Sequence, residues 1–247
     1  QIAIKRFFDT ESPEEIIKEL IKLSKPNPSE KTIFIFPEGI LSSIYLEDLQ
    51  NYKYLFSENF SNKHILLMGI NTRETNNGKR KIYNSLVVLD NNTKLLAIYK
   101  KNKLVPFGEF LPFENFFKKL GFKKITQGYL SFSSNDTRDL INIDKLNFLP
   151  LICYEIIYSG NINKQSNSTD FIINISEDGW FGDSIGPHQH FSHAIFRSIE
   201  EGKNIIRSAN NGISAFIDNN GRVIARLEST QRGVIEVDKY KKFNETL

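Results

Sequence analysis

The sequence contains a single cysteine, Cys153, which excludes an intramolecular disulfide and means that cysteine usage does not separate an oxidising compartment from a reducing one. One thiol is left to explain. No apolar run approaches the roughly 18–20 residues needed to span a bilayer, and the longest, such as Thr32 to Phe36 and Phe148 to Cys153, are strand-sized. Neither sign of charge dominates. The 32 basic and 29 acidic residues leave a net charge of +3, too small an excess to point to a nucleic-acid partner by itself. The chain begins at Gln1 with no initiator methionine and no signal-like apolar region, so it is read as excised from a longer polypeptide, with any anchor or targeting element expected outside it.

What is present describes a packed protein. Hydrophobic residues make up 40% of the 247 and charged residues 25%, an ordinary globular balance that argues against disorder along most of the chain. A domain of this length buries roughly 70–75% of the surface its unfolded chain exposes and needs no covalent staples. No internal repeat or long linker divides the sequence, and one domain over residues 1–247 is the simplest account.

Short β-rich runs recur at Ile2 to Ile4, Thr32 to Phe36, Ile65 to Ile70, Ser85 to Leu89, Lys94 to Tyr99, Asn147 to Ile152 and Phe171 to Ile175. Helical signals interrupt them. Ser12 as N-cap, Pro13 in the first turn, and Ile16, Ile17, Leu20, Ile21 and Leu23 at helical spacing predict a helix. A second is predicted from about His188 to Glu201, stopped by Gly202. Beyond it, Asn204 to Ser208, Ile213 to Ile217, Arg222 to Leu227 and Gly233 to Val237 predict antiparallel strands, with Asp218 to Gly221 as a hairpin connection. Asn76-Asn77-Gly78 and Asn161 to Thr169 read as polar loops. The pattern predicts an α/β fold, a mixed sheet covered by helices.

Three ionisable residues share a placement: Glu38, Lys101 and Cys153 each follow closely on the carboxyl end of a predicted strand. That edge of an α/β sheet is where ligands and catalytic groups gather. A thiol with an ordinary pKa of about 8.5 is mostly protonated at neutral pH and needs help to attack a carbonyl. Glu38 can remove its proton, and Lys101 can favour the thiolate and then stabilise a tetrahedral oxyanion. Each residue also has a plainer reading. Cys153 alone is a small buried hydrophobe, Pro37-Glu38-Gly39 a turn, and Lys101 in its Lys100-Lys101-Asn102-Lys103 run a solvated charge.

The residues around these three resemble the nitrilase superfamily and, within it, the apolipoprotein N-acyltransferase family. The likeness is carried by Phe36-Pro37-Glu38, by the run from Tyr99 to Pro112 with its Lys-x-x-Leu-Val-Pro-Phe-Gly-Glu core at Lys101 to Glu109, and by Ile152-Cys153-Tyr154-Glu155. It continues through Asp178 to Ser184, Gly186-Pro187-His188-Gln189-His190 and Arg207 to Ser214, and so covers nearly the whole chain. The resemblance implies an αββα sandwich, a Glu38/Lys101/Cys153 triad, and supporting carboxylates at Glu109 and Glu155. It further implies flanking transmembrane helices outside this chain and a site at the periplasmic face of a bacterial inner membrane. Phe36 and Phe8 stand where that family usually has tryptophan, and Ser176-Glu177 replaces its more usual Thr/Ser-Asn. Those departures bear on the shape of the acyl pocket.

The implied reaction has two halves, in which Cys153 takes a fatty acyl group from a phospholipid and passes it to the N-terminal amine of a diacylglyceryl-cysteine lipoprotein. A soluble C–N hydrolase, an amidase using the same trio, is the alternative, and a non-catalytic interaction module is a third reading. Glu109 and Glu155 are expected to orient Lys101 or tune local charge, with a helix-start carboxylate as the plainer role for Glu155. Tyr154, Trp180 and Phe181 are candidate substrate-binding or packing residues. Phe116 to Lys124 interleaves aromatics with lysines, which suits either a lipid interface or a helix with a core stripe and a solvated face. No nucleic-acid motif accompanies that basic patch. His188, His190 and His193 invite a metal hypothesis, but without a matching carboxylate or thiolate cluster in the nearby sequence ordinary polar roles are preferred, and neither a metal nor a cofactor is expected.

Overall fold

A computed structural model of the chain describes residues 12–76, 78–110, 131–143, 145–160, 162, 168–229 and 231–237. Helix α1, Pro13–Ser24, begins where the sequence predicts. Ser12 accepts from the backbone N–H of Glu15 while the Glu15 carboxylate accepts from the backbone N–H of Ser12, satisfying two of the donors that a helix start leaves open. Lys25 closes the helix in a left-handed conformation, donating to the Ile21 carbonyl.

Strand β1, Thr32–Ile35, lies parallel to β2, His64–Asn76, which pairs antiparallel with β3, Lys79–Leu89, and β3 pairs antiparallel with β4, Leu95–Lys100. These form a four-stranded sheet in the order β1-β2-β3-β4. The second sheet holds β5, Ile141–Ile143, β6, Leu146–Ile152, β7, Phe171–Glu177, β8, Asn204–Asn210, β9, Ser214–Ile217, and β10, Val223–Leu227, in the order β10-β9-β8-β7-β6-β5. Its centre, β6-β7-β8, is parallel, and its margins are antiparallel. Helix α2, Lys53–Asn59, follows a 3₁₀ segment at Leu46–Tyr52, and helix α3, Gly186–Glu201, leads into β8.

The alternation of side chains along each strand builds the layers. Leu66, Met68 and Ile70 of β2 face outward and pack with Ile16, Ile17 and Leu20 of α1 and Phe56 of α2, whereas Leu67 faces the opposite sheet. On β6 and β7, Phe148, Ile152, Phe171, Ile173 and Ile175 join Leu67, Leu86, Val88 and Tyr99 between the sheets. Leu149, Leu151 and Ile172 point the other way and pack with Phe191 and Ala194 of α3. Two mixed sheets thus lie face to face with helices outside each, the αββα sandwich expected. No helix among the described residues is long and apolar enough to cross a membrane.

Several sequence expectations need correction. The β2 and β3 strands run past the apolar core into a polar ribbon in which Glu74 opposes Lys81, Thr75 opposes Arg80 and Asn76 opposes Lys79, so Asn76, read as loop, belongs to β2, and Gly78 stands at φ +73°. Period-two hydrophobicity could not report a ribbon that is solvated on both faces. Gly233 to Val237 carries no strand, and the second sheet ends at β10. Leu46–Tyr52 and α2 were not foreseen, nor was β5. Ile2 to Ile4, Phe8, Leu111-Pro112, the Phe116 to Lys124 segment and most of the Asn161 to Thr169 loop lie outside the described residues.

Candidate active site

Glu38, Lys101 and Cys153 leave β1, β4 and β6 within three residues of each strand's last residue, and the sandwich carries them to one buried edge. The approach of β1's continuation to β2 depends on Gly69. A Cβ there would lie 2.6 Å from the Glu38 Cα and 3.1 Å from the Pro37 carbonyl oxygen, so only glycine lets the Pro37-Glu38 backbone rest on β2.

Around Lys101 the charges are tightly arranged. Its Nζ lies 2.9 Å from Glu109 Oε1 and 3.5 Å from Glu38 Oε1, and the residue is only 1% exposed. Asn84, in the middle of β3, donates its amide to both carboxylates, at 2.6 Å to Glu38 Oε1 and 3.0 Å to Glu109 Oε1. The second oxygen of Glu38 accepts from the backbone N–H of Glu177 at 2.8 Å, and that of Glu109 from the backbone N–H of Val105 at 2.9 Å. Burial pulls the Lys101 pKa down, but Glu109, Glu38 and Cys153 push it up by more, so the side chain is held as an ammonium. Burial likewise works to raise the Glu109 pKa, yet Lys101 dominates and holds the carboxyl below its usual range.

Cys153 sits where β6 passes into a 3₁₀ turn, Cys153–Ile157, and adopts φ +50°, a left-handed conformation uncommon for a residue with a Cβ. Its Sγ lies 3.9 Å from the Glu177 carbonyl oxygen. Lys101 does favour the thiolate, as the sequence reading has it, but two stronger influences oppose it. Burial and then the Glu38 charge push the Cys153 thiol up, and Lys101 only partly offsets them, so the resting sulfur is a neutral thiol.

Glu109 meets Lys101 directly, whereas the bonds of Glu155 go to other partners. Glu155 Oε1 instead accepts from Tyr99 Oη at 2.8 Å and from the backbone N–H groups of Asn102 and Lys103, each at 2.9 Å, while Oε2 accepts from the backbone N–H of Ile152 at 2.8 Å. One carboxylate thereby ties the chain just after Lys101 to the chain just before Cys153. The bond to Ile152 is also the helix-start role weighed for it. Tyr154 packs edge-on against Tyr158, with ring centroids 5.6 Å apart. Trp180 and Phe181 are each 40% exposed, and Phe181 meets the His190 ring edge-on at 5.7 Å. Phe107, on the loop between Lys101 and Glu109, and Ile185, just before α3, are exposed as well, so two loops issuing from this edge present apolar side chains outward.

His188, His190 and His193 form no shared ligand group among the described residues, in keeping with the polar roles preferred for them, yet His190 does lie beside a carboxylate and a thiol. Among the described residues Cys153, Asp178 and His190 place potential ligand atoms within 4.8 Å of one another. Asp178 is already committed: Oδ2 pairs with Arg207 Nη2 at 2.7 Å and Oδ1 lies 2.8 Å from His190 Nδ1. A metal there would compete with a guanidinium already seated on one of its three donors. Sequence reasoning missed Asn84, Glu177, Asp178 and Arg207 as members of this site. An asparagine within a strand otherwise rich in apolar residues was the one available signal, since Asn is depleted in strands.

Residues 19–239 match the family described as Carbon-nitrogen hydrolase. Among individual proteins, the chain is 35% identical over 207 residues to an apolipoprotein N-acyltransferase of Rhizobium rhizogenes, covering 83% of this chain and 39% of that protein. It is 38% identical over 186 residues to the protein of that name from Rickettsia prowazekii, covering 74% of this chain and 37% of the other. The chain therefore spans about two fifths of the length of the curated relatives it matches. A crystal structure of a carbon-nitrogen hydrolase from Helicobacter pylori shares the fold with a TM-score of 0.62 at 14% identity, over 90% of this chain and 82% of that one. With its two-sheet sandwich and with nearly all of its length matched, the chain belongs to the carbon-nitrogen hydrolase family, the nitrilase superfamily.

Proposed function

We propose that this chain is the catalytic domain of an N-acyltransferase, which moves a fatty acyl group from a phospholipid to the N-terminal amine of a diacylglyceryl-cysteine lipoprotein through a thioester on Cys153. The observation that carries the proposal is a buried thiol, Cys153, at the same sheet edge as a Glu38–Lys101–Glu109 charge cluster, in a chain whose relatives bear that activity in their name.

In the first half, Glu38 takes the proton from Sγ as the sulfur bonds to the ester carbonyl carbon, and Lys101 donates a hydrogen bond to the oxygen that becomes negative. Collapse breaks the carbon–oxygen ester bond, the departing alkoxide takes the proton held by Glu38, and lyso-phospholipid leaves. In the second half, the lipoprotein amine attacks the thioester carbon and loses a proton to Glu38, and the sulfur leaves and is reprotonated. Glu109 and Asn84 hold Lys101 and Glu38 in place through both halves. Burial, which pushes the Cys153 thiol up, suits this order, because the base is needed at the moment of attack.

The exposed Phe107, Trp180, Phe181 and Ile185 support a site that works against a membrane surface, where apolar side chains can meet acyl chains. Placement at the periplasmic face of a bacterial inner membrane, with membrane-spanning segments outside this chain, is part of the same proposal. The test is the fate of the thioester. Incubating the full-length protein with phospholipid vesicles and measuring intact mass is expected to give an acyl adduct that Cys153→Ala abolishes. Turnover of small amides with no lipid adduct would assign an amidase instead.

A further inference from the structure

The left-handed turn at Cys153 needs something to hold it, and the residues packed behind it come from α3, from β8 and from Asp178 just after β7. His190 Nε2 lies 3.2 Å from the Cys153 carbonyl oxygen, and a carbonyl can only accept, so Nε2 carries the hydrogen. Behind the ring, Nδ1 faces Asp178 Oδ1 at 2.8 Å and Arg207 Nη2 at 3.2 Å. Asp178 also accepts from Ser176 Oγ at 2.6 Å, and Arg207 is fixed by the Ile213 carbonyl at 3.1 Å and by the Asn174 side chain. His190, Asp178 and Arg207 are all buried, and a Cβ on Gly212 would fall 2.1 Å from Asp178 Oδ2, so the assembly has no slack.

We infer that His190, braced by Asp178 and Arg207, is a positioning residue for the nucleophile. Its Nε2–H fixes the Cys153 carbonyl, which fixes the peptide plane of a conformation that the residue would otherwise leave, and so keeps Sγ beside the Glu177 backbone, whose N–H holds Glu38. Several observations favour this over a purely structural network. The donor is spent on the nucleophile's own carbonyl, and that residue has the one positive φ among Cys153–Ile157. Arg207 and Asp178 form a buried ion pair without help from His190, so the histidine adds an arm directed at the elbow rather than completing the pair.

The inference rests on reading Cys153 as the nucleophile but not on which substrate it attacks, and the test keeps the two apart. In the full-length protein, the rate of Cys153 alkylation by iodoacetamide is measured for His190→Met, which fills the space without a donor, and for His190→Gln, which restores an N–H near the Nε2 position. Each is measured with and without Glu38→Gln. We expect His190→Met to change the alkylation rate by about tenfold or more and to make it insensitive to Glu38→Gln, because a sulfur turned away from Glu38 no longer senses it. His190→Gln is expected to retain both the rate and the sensitivity. An unchanged rate and unchanged Glu38 sensitivity in His190→Met overturns the inference, whatever happens to its melting temperature. So does a His190→Gln protein as defective as His190→Met, since the donor would then not be what matters. Absence of a lipid adduct in the wild-type protein would count against the acyltransferase reading alone and leave the alkylation comparison intact.

Discussion

The side-chain amide of Asn84 donates to Glu38 Oε1 at 2.6 Å, and the same nitrogen reaches Glu109 Oε1 at 3.0 Å. Two buried carboxylates that flank one ammonium are thus also joined by a neutral donor, which eases the repulsion between them. Replacing Asn84 by Asp puts a third carboxyl group where that donor was. Stability is expected to fall by about 3 kcal/mol and acyl transfer by about 100-fold. Urea denaturation and single-turnover acylation of the full-length protein check both, and wild-type values would show that the amide is incidental.

Gly69 tests the strand contact that seats the candidate base. In Gly69→Ala the added methyl meets the Glu38 Cα at 2.6 Å, and backbone cannot swing aside as a side-chain tip can. The expected cost is about 1–3 kcal/mol of stability, with a further loss of turnover of up to about 100-fold as Glu38 is displaced. A variant with unaltered melting and turnover would mean that β1 and β2 part freely.

Lys101→Met fills the volume but leaves Glu38 and Glu109 facing each other without a cation. Breaking a buried pair in this way is expected to cost about 3–5 kcal/mol at neutral pH, and loss of the oxyanion donor about 10²–10³-fold in rate. Part of the stability should return on mild acidification, because a protonated carboxyl ends the repulsion. Comparing denaturation midpoints at neutral and mildly acidic pH decides the point.

Alkaline stability follows from the same groups. Burial, then Glu38, raises the Cys153 thiol, while Glu109 and Glu38 outweigh burial to raise Lys101. A group raised in the folded state stabilises fully below its unfolded pKa and loses that contribution as pH climbs toward the folded value. The urea midpoint should therefore stay level through neutrality, decline from about pH 8.5 as the unfolded thiol ionises, and decline further from about pH 10.4 as the unfolded lysine loses its proton. Tyr99, raised by burial and then by Glu155, adds to the second decline. Cys153→Ser should erase the first decline and keep the second.

Much of the frame was legible because apolar periodicity reports burial directly. The strands ending near Glu38, Lys101 and Cys153 show as short Ile/Leu/Phe runs, and the Ser12-Pro13 start of α1 is written in its capping chemistry. What escaped notice is polar and long-range. Asn84 reaches Glu38 across 46 positions, Arg207 reaches Asp178 across 29, and no local pattern marks such pairs. Of the roles open to Glu155 the local helix-start bond was legible, but its backbone donors at Asn102 and Lys103 were not, since they come within reach only once β4 and β6 stand opposite each other. The solvated end of the β2–β3 ribbon was hidden for the opposite reason, having no apolar face to announce it.

Storing the sulfhydryl in protonated form at 8% exposure has a chemical consequence outside the catalytic cycle. Peroxides and low-molecular-weight disulfides react with the anion, so a sulfur whose ionisation is opposed by burial offers them little to attack. A sulfur held in this way stays reduced and unreacted for longer than one that is exposed and ionised.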